Sequence, residues 1–279
     1  MPREVAFEIP ADPSQFTPVQ IRPRVLLGLS MQSLARWLDG YAVPYPSLLT
    51  RHSAAFAFTW IQLDYAEPDL RFEQAGWLAV TGRLSASATG KYLRLDIRVQ
   101  TCDHRDVSRH QPVARVRADM RVVSIVEGEA LSAIPGALSA DLLGRFLPDE
   151  IYQPDRATIA KASTPPGGGE IAPASCLSAS LYRTHCEVAD QWSFIEVIEL
   201  LTAARERLYV HGTAPADVGK HAVSSPVRRI VAVFHRAMFV FDTCKITTRP
   251  VETADGMVFV HTVAYPGTAG TCVTAWEAL

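Results

Sequence analysis

The strongest periodic signal in the chain runs from Trp192 to Tyr209, where Phe194, Ile195, Val197, Ile198, Leu201 and Leu208 recur at helical spacing. The predicted helix is apolar around much of its circumference, so it needs wrapping by other elements instead of resting on a surface. Wrapping material follows it in 228–249 (RRIVAVFHRAMFVFDTCKITTR), 257–265 (MVFVHTVAY) and 271–276 (TCVTAW). These runs are rich in Val, Ile, Phe and Thr and are bounded by turn residues, as antiparallel strands are. A short strand is expected ahead of the helix, at 181–188.

The first half repeats this order. A strand-like run at 24–27 leads into SMQSLARWLDGYAVPYPSLL, a helix that Pro44 and Pro46 must kink or end. Strand candidates follow at 54–63, 77–85, 91–100 and 114–126, with LRLDIRV alternating strictly between apolar and polar. Two copies of short strand, helix and antiparallel strands predict an internal duplication, a pseudo-dimer in one chain. Between the copies, prolines and the triplet Gly167-Gly168-Gly169 replace the periodicity, and no Lys-Ser/Thr follows the glycines as a phosphate loop requires. The expected domains are therefore 1–150 and 176–279, joined by a linker at 151–175.

Composition narrows the function classes. At 48% hydrophobic and 20% charged, the chain has material for a sizeable core. A net charge of -2 with interspersed signs gives no basic face for nucleic acid. No apolar run approaches the 18 or so residues of a membrane span, and the N-terminus lacks the apolar core of a signal peptide. A cytoplasmic protein with no membrane or nucleic-acid partner is expected. The five cysteines are scattered without a C-x-x-C pair, which predicts reduced thiols. Cys102, Asp103, His104, Asp106 and His110 are metal-ligand types, but Arg105, Arg109 and the polar surroundings predict a solvated loop without metal.

Three segments carry a family resemblance. EVADQWSFIEVIELLTAARERLY resembles the segment of the hot-dog thioesterase superfamily in which a strand ends in an aspartate and a short loop leads into the helix. On that resemblance Asp190 falls on the catalytic aspartate and Ala204-Arg205-Glu206 on the helical signature, while Ser193-Phe194-Ile195 stands where the family has Gly then His or Val. RAMFVFDTCKITT is similar to the strand pair whose turn carries an aspartate, here Asp242. The whole chain, through LLGLSMQSLARWLDGYAVPY, also resembles the double hot-dog acyltransferase/decarboxylases of polyketide biosynthesis typified by the leinamycin pathway. The resemblance implies an α+β fold, a double hot-dog with two long central helices each wrapped by an antiparallel sheet. It implies an enzyme acting on acyl-CoA or acyl-carrier protein, with coenzyme A or phosphopantetheine as part of the substrate and no separate cofactor. The simplest reaction is thioester hydrolysis in a polyketide or fatty-acid type pathway. Acyl transfer or decarboxylation, dehydration, and non-catalytic acyl binding are the alternatives.

Such a site must polarise a thioester carbonyl and supply a base or nucleophile. The N-terminus of the central helix, at Ser193 and Phe194, suits the first task through its free N–H groups and dipole. Asp190 would activate water or attack the carbonyl, and an aspartate there is equally a standard helix cap. Glu196 lies within the apolar helix as a second candidate base, Glu199 is expected on its exposed stripe, and His185 is a candidate proton shuttle. Tyr41, Tyr45 and His52 follow the first helix and would complete a pocket between the halves. The first helix start, LSMQSL, offers Ser30 but no carboxylate, which predicts one working site. Arg228 and Arg229 are candidates for the phosphates of the thioester carrier. Further pairing into a homodimer is compatible with all of this.

Overall fold

The computed structural model describes residues 2–103, 106–125, 133–187, 191–211, 214–267 and 270–279, with the side chains of 103 and 106–109 outside that description. The chain divides into two compact units, Met1–Arg156 and Ala157–Leu279.

The first unit contains β1 (Val5–Pro10), α1 (Pro23–Tyr41), α2 (Tyr45–His52), β2 (Ala54–Tyr65), β3 (Trp77–Ser87), β4 (Tyr92–Asp103), β5 (Asp106–Ile125), β6 (Ala133–Pro135), α3 (Ala140–Leu143) and β7 (Ile151–Tyr152). Its long strands pair antiparallel in the order β1-β3-β4-β5-β2. The alternation read in LRLDIRV places Leu93, Leu95, Ile97 and Val99 in the core, beneath the apolar side of α1. Leu26, Leu27, Leu34, Trp37 and Leu38 supply that side. Gly82 marks the closest approach, because a Cβ there would come within 2.9 Å of both Ile97 Cδ1 and Ser33 Cβ. Trp37 is fully buried and stacks on Phe146, with ring centroids 5.0 Å apart. The chain start is tied down by Arg3, which donates through Nε to Oε1 of the buried Glu150 at 2.8 Å.

The second unit contains α4 (Arg156–Ser163), starting at the boundary, then β8 (Gly169–Glu170), β9 (Ser175–Ser180), α5 (Phe194–Val210), α6 (Ala216–Ser224), β10 (Arg229–Phe234), β11 (Thr243–Thr253), β12 (Gly256–Ala264) and β13 (Thr271–Ala278). Its strands pair antiparallel in the order β9-β11-β12-β13-β10. The topology of the first unit recurs: a strand, two helices, then four strands, with the first of the four at one end of the row and the leading strand at the other. The expected linker region is not bare coil, since it carries β7, α4 and β8.

Several local expectations need correction. The strand expected at 24–27 lies inside α1, which opens on Pro23, a position where proline's fixed φ suits a helix and its missing N–H is no loss. The leading strand of that unit is β1. The helix ends at Tyr41 before Pro44, and Pro46 sits in the first turn of a separate helix, α2. In the second unit the leading strand stops at Ser180 and a tight turn at Arg183–His185 follows, so the described part of the strand expected at 181–188, residues 181–187, is not a strand. The run 228–249 is broken between Phe234 and Thr243. α6 was not foreseen, and it packs so closely on α5 that a Cβ on Gly219 would lie 3.2 Å from Tyr209 Cα. The solvated loop expected around Cys102–His110 is largely strand, with β4 reaching Asp103, β5 starting at Asp106 and Cys102 buried. His104 and Arg105 lie outside the described residues.

Candidate active site

The amino end of α5 is built by three short backbone connections. Ser193 N donates to His185 O at 2.9 Å, Trp192 N donates to Met238 O at 2.8 Å, and Glu187 N donates to Gln191 O at 2.8 Å. Residues 185–187 and 191–193 are thus held together at the helix start and docked on the segment that precedes β11, with Gln191 bridged to Phe239. Trp192 and Phe194 bury their rings and anchor the loop to the core. The helix N-cap is Ser193, whose side chain does not cap its own helix.

The Ser193 hydroxyl instead bonds to the carboxyl of Glu187, which also accepts from Phe194 N–H. Although Glu187 as a whole is exposed, desolvation of its carboxyl against the helix end raises it above its ordinary 4.5, and these two hydrogen bonds offset only part of that rise. A carboxyl with a raised pKa, touching the first turn of a helix whose dipole favours negative charge, has the parts of a general base beside a place for an oxyanion.

A second polar cluster lies deep in the same unit, on the sheet face toward α5. Glu277 on β13 is wholly buried. Its Oε2 lies 3.2 Å from Arg205 Nη1 and 3.7 Å from His261 Nε2, and its Oε1 accepts from Thr202 Oγ1 at 3.0 Å. Thr248 Oγ1 and His261 Nδ1 share a hydrogen bond of 2.9 Å. Burial by itself would raise the Glu277 pKa, but the Arg205 charge overrides it, with His261 and Thr202 adding, and the carboxyl is lowered to about 2. Thr248, His261 and Glu277 have the residue types of a nucleophile, base and acid. Their sealed position and the 3.7 Å gap between His261 and Glu277 make the cluster a structural ion pair that fixes α5 on the sheet.

The sequence candidates are distributed as follows. Asp190 lies outside the described residues. His185 is half-buried, with Nδ1 accepting from Tyr182 N at 3.1 Å, which leaves Nε2 to move a proton, and its carbonyl joins it to Ser193. Glu196 is half-buried in the first turn of α5, where its charge suits the helix dipole. Glu199 is also half-buried, one turn further on. Arg228 and Arg229 are exposed at the start of β10, where Arg228 N donates to Ala278 O. In the first unit, the Tyr41 hydroxyl donates to Glu4 O at 3.0 Å and its ring lies 4.9 Å from the Arg3 guanidinium. Tyr45 meets Phe56 edge-on at 5.8 Å, and His52 is half-buried in the last turn of α2. Phe56 in turn lines a small apolar pocket with Leu38, Leu48, Leu93, Leu142 and Phe146. The structure therefore gathers His185, Ser193, Phe194 and Glu196 at the start of α5.

Two features of this unit escaped the sequence reading. Glu187 stands three residues before Asp190, and only the fold shows that its carboxyl meets the helix end. Glu277 and His261 are titratable residues within otherwise apolar strand runs, a signal that could have flagged a buried pair. Arg205 was noted only as part of a motif.

No family model and no curated protein matches the sequence. Solved structures do match over the whole chain. A protein of Lactobacillus plantarum provisionally classed as an oleoyl thioesterase superposes with a TM-score of 0.69 at 9% identity, covering 99% of this chain and 94% of its own. The 12:0-ACP thioesterase of Umbellularia californica gives 0.65 at 10% identity, with 99% and 93% covered. An acyl-ACP thioesterase of Bacteroides thetaiotaomicron gives 0.64 at 10% identity, with 99% and 97% covered. The chain has the hot-dog fold of these structures, as the sequence resemblance implied.

Proposed function

We propose that this chain is an enzyme acting on acyl thioesters, most simply a thioesterase, with a double hot-dog architecture and its working site at the start of α5. The observation that carries this reading is the Glu187 carboxyl, held at the helix terminus with a raised pKa. In the reaction, Glu187 takes a proton from a water molecule as the water oxygen attacks the thioester carbon. The carbonyl oxygen becomes an oxyanion facing the first turn of α5. Collapse of this intermediate breaks the carbon–sulfur bond, and the departing sulfur receives the proton from Glu187. The products are a carboxylic acid and a free thiol.

The similar structures named as acyl-ACP thioesterases support an acyl group held on a carrier protein as the substrate. Release of free thiol from a panel of acyl-CoA and acyl-carrier-protein substrates tests the reading. Glu187→Gln should lower kcat by roughly 10²–10⁴-fold. Turnover unchanged in this variant would remove Glu187 from the mechanism, and no thiol release from any thioester would overturn the hydrolase reading.

A further inference from the structure

Between β10 and β11 the chain runs Met238-Phe239-Val240-Phe241-Asp242, a stretch with no glycine or proline to shape a turn. Asp242 shapes it instead. Its Oδ2 accepts from Phe239 N at 2.7 Å, and its own N–H donates to Phe239 O at 3.1 Å. Phe241 is thereby held at φ 69, in the left-handed region, with 68% of its surface exposed, a backbone that an aromatic residue rarely adopts unaided. Tyr265, just past the end of β12, donates its hydroxyl to the same Asp242 oxygen at 2.7 Å. Desolvation and the neighbouring carboxylate hold that hydroxyl up at about 12, so it remains a donor throughout the neutral range. The Tyr265 ring lies 5.3 Å from the Arg236 guanidinium carbon, and the Phe241 ring 5.7 Å from that of Arg183.

This closed turn receives both ends of the segment that precedes α5. At the upstream end, Leu181 N donates to Asp242 O at 2.8 Å and Phe241 N donates to Leu181 O at 2.7 Å. At the downstream end, Trp192 N donates to Met238 O at 2.8 Å, and Gln191 is bridged to Phe239. The bonds from Ser193 N to His185 O and from Glu187 N to Gln191 O then join the two ends to each other. The Glu187 carboxyl therefore reaches Ser193 and Phe194 from a backbone whose anchors all lie within 238–242, and one carboxylate oxygen closes that turn. A displacement of about 1 Å between reacting groups can cost roughly 10²-fold in rate, so the shape of the turn bears on the chemistry at the helix start.

We propose that Asp242, held by Tyr265, is a positioning residue for the thioester reaction, acting through the turn at 238–242 to align Glu187 with the first turn of α5. This rests on the thioester reading above and adds to it the residue that fixes the geometry of the site. The role requires an acceptor oxygen and not a negative charge, because both donors, Phe239 N–H and Tyr265 O–H, are neutral and meet a single atom. A carboxylate that took part in the chemistry itself would need its charge.

The test compares Asp242→Leu, which removes the acceptor, with Asp242→Asn, which presents an amide oxygen in the place of Oδ2. In thiol-release assays Asp242→Leu should lower kcat by about 10–100-fold with KM changed by less than about threefold, and Asp242→Asn should recover most of that loss. Tyr265→Phe deletes one of the two donors and leaves the carboxylate in place. It should lower kcat by about threefold or more at unchanged KM, and it carries the comparison if Asp242→Leu does not fold. Amide hydrogen exchange supplies a readout that does not need turnover: exchange at Trp192 and Ser193 should be faster in Asp242→Leu and Tyr265→Phe than in the parent, and close to the parent in Asp242→Asn. Equal losses of kcat in the Asn and Leu variants, or a loss confined to KM, would overturn the proposal. So would parental exchange together with parental kcat in the Leu and Phe variants, and the hydrolase reading would then stand without it. Conversely, exchange that follows the acceptor oxygen in a protein that releases no thiol would uphold the hold of Asp242 on the helix start and reject the hydrolase reading.

Discussion

The buried pair between Arg205 and Glu277 sets up a quantitative expectation for the stability of the second unit. Glu277→Gln keeps the side-chain shape and the acceptor for Thr202, but it leaves the buried Arg205 cation with only the more exposed Glu206, 3.8 Å away, as a counter-charge. A carboxyl that titrates at its ordinary 4.5 when unfolded and at about 2 when folded contributes roughly 3 kcal/mol at neutral pH. Removing one partner of a buried ion pair costs about 3–5 kcal/mol, the same order. The sign follows from the lowered pKa. This contribution is complete above pH about 4.5 and is lost as pH falls toward about 2, because the unfolded chain then takes up the proton first. Urea unfolding of both proteins at a series of pH values is the assay. The variant should be less stable by roughly 3 kcal/mol at pH 7, and the gap should narrow as acid protonates Glu277 in the parent protein. A gap that stays constant with pH, or one below about 0.5 kcal/mol at neutrality, would refute the reasoning.

Three further outcomes follow from the geometry. Because burial raises the Glu187 pKa and the base must be ionised, kcat should decline on the acid side from a pH above the usual carboxylate range, and a pH–rate profile in which that limb lies at or below 4.5 would contradict this. Gly82→Ala drives a methyl group to 2.9 Å from Ser33 and Ile97, and chemical denaturation should show a loss of about 1–3 kcal/mol, with no loss counting against tight packing of α1 on the sheet. Phe241→Gly should leave stability within about 1 kcal/mol of the parent, since relief of left-handed strain balances the added chain entropy, whereas β-branched Phe241→Val should cost more than about 1 kcal/mol in the same denaturation.

Much of the fold was legible in the sequence because its elements carry local periodic signals. The alternation in LRLDIRV and the apolar circumference around Phe194, Val197, Ile198 and Leu201 are set by backbone geometry alone, so β4 and α5 could be read directly. The reading failed where local chemistry is ambiguous over four to eight residues. Arg24–Leu27 is as strand-like as helical in isolation, and the deciding influence is Pro23 with the long apolar stripe beyond it. Ala216–Ser224 is a nine-residue helix, shorter than the roughly 12–15 residues an isolated helix needs, and it packs against Tyr209.

The candidate site divides in the same way. Sequence pointed to the start of α5 through the residues that flank it, and a helix terminus is a local feature. It did not indicate that Glu187 bonds to Ser193 and Phe194, because a loop's path depends on what it docks against, here Met238 and Phe239. Nor could it pair Arg205 with Glu277 across 71 intervening positions of chain, or bring Arg183 to Phe241 and Arg236 to Tyr265. By itself the sequence determined the two long helices, the longer strands and their repetition, since these depend on side-chain order along a few turns. Tertiary structure decided which charges meet, because burial, pKa and ion pairing depend on distances that close only when the sheet wraps the helix.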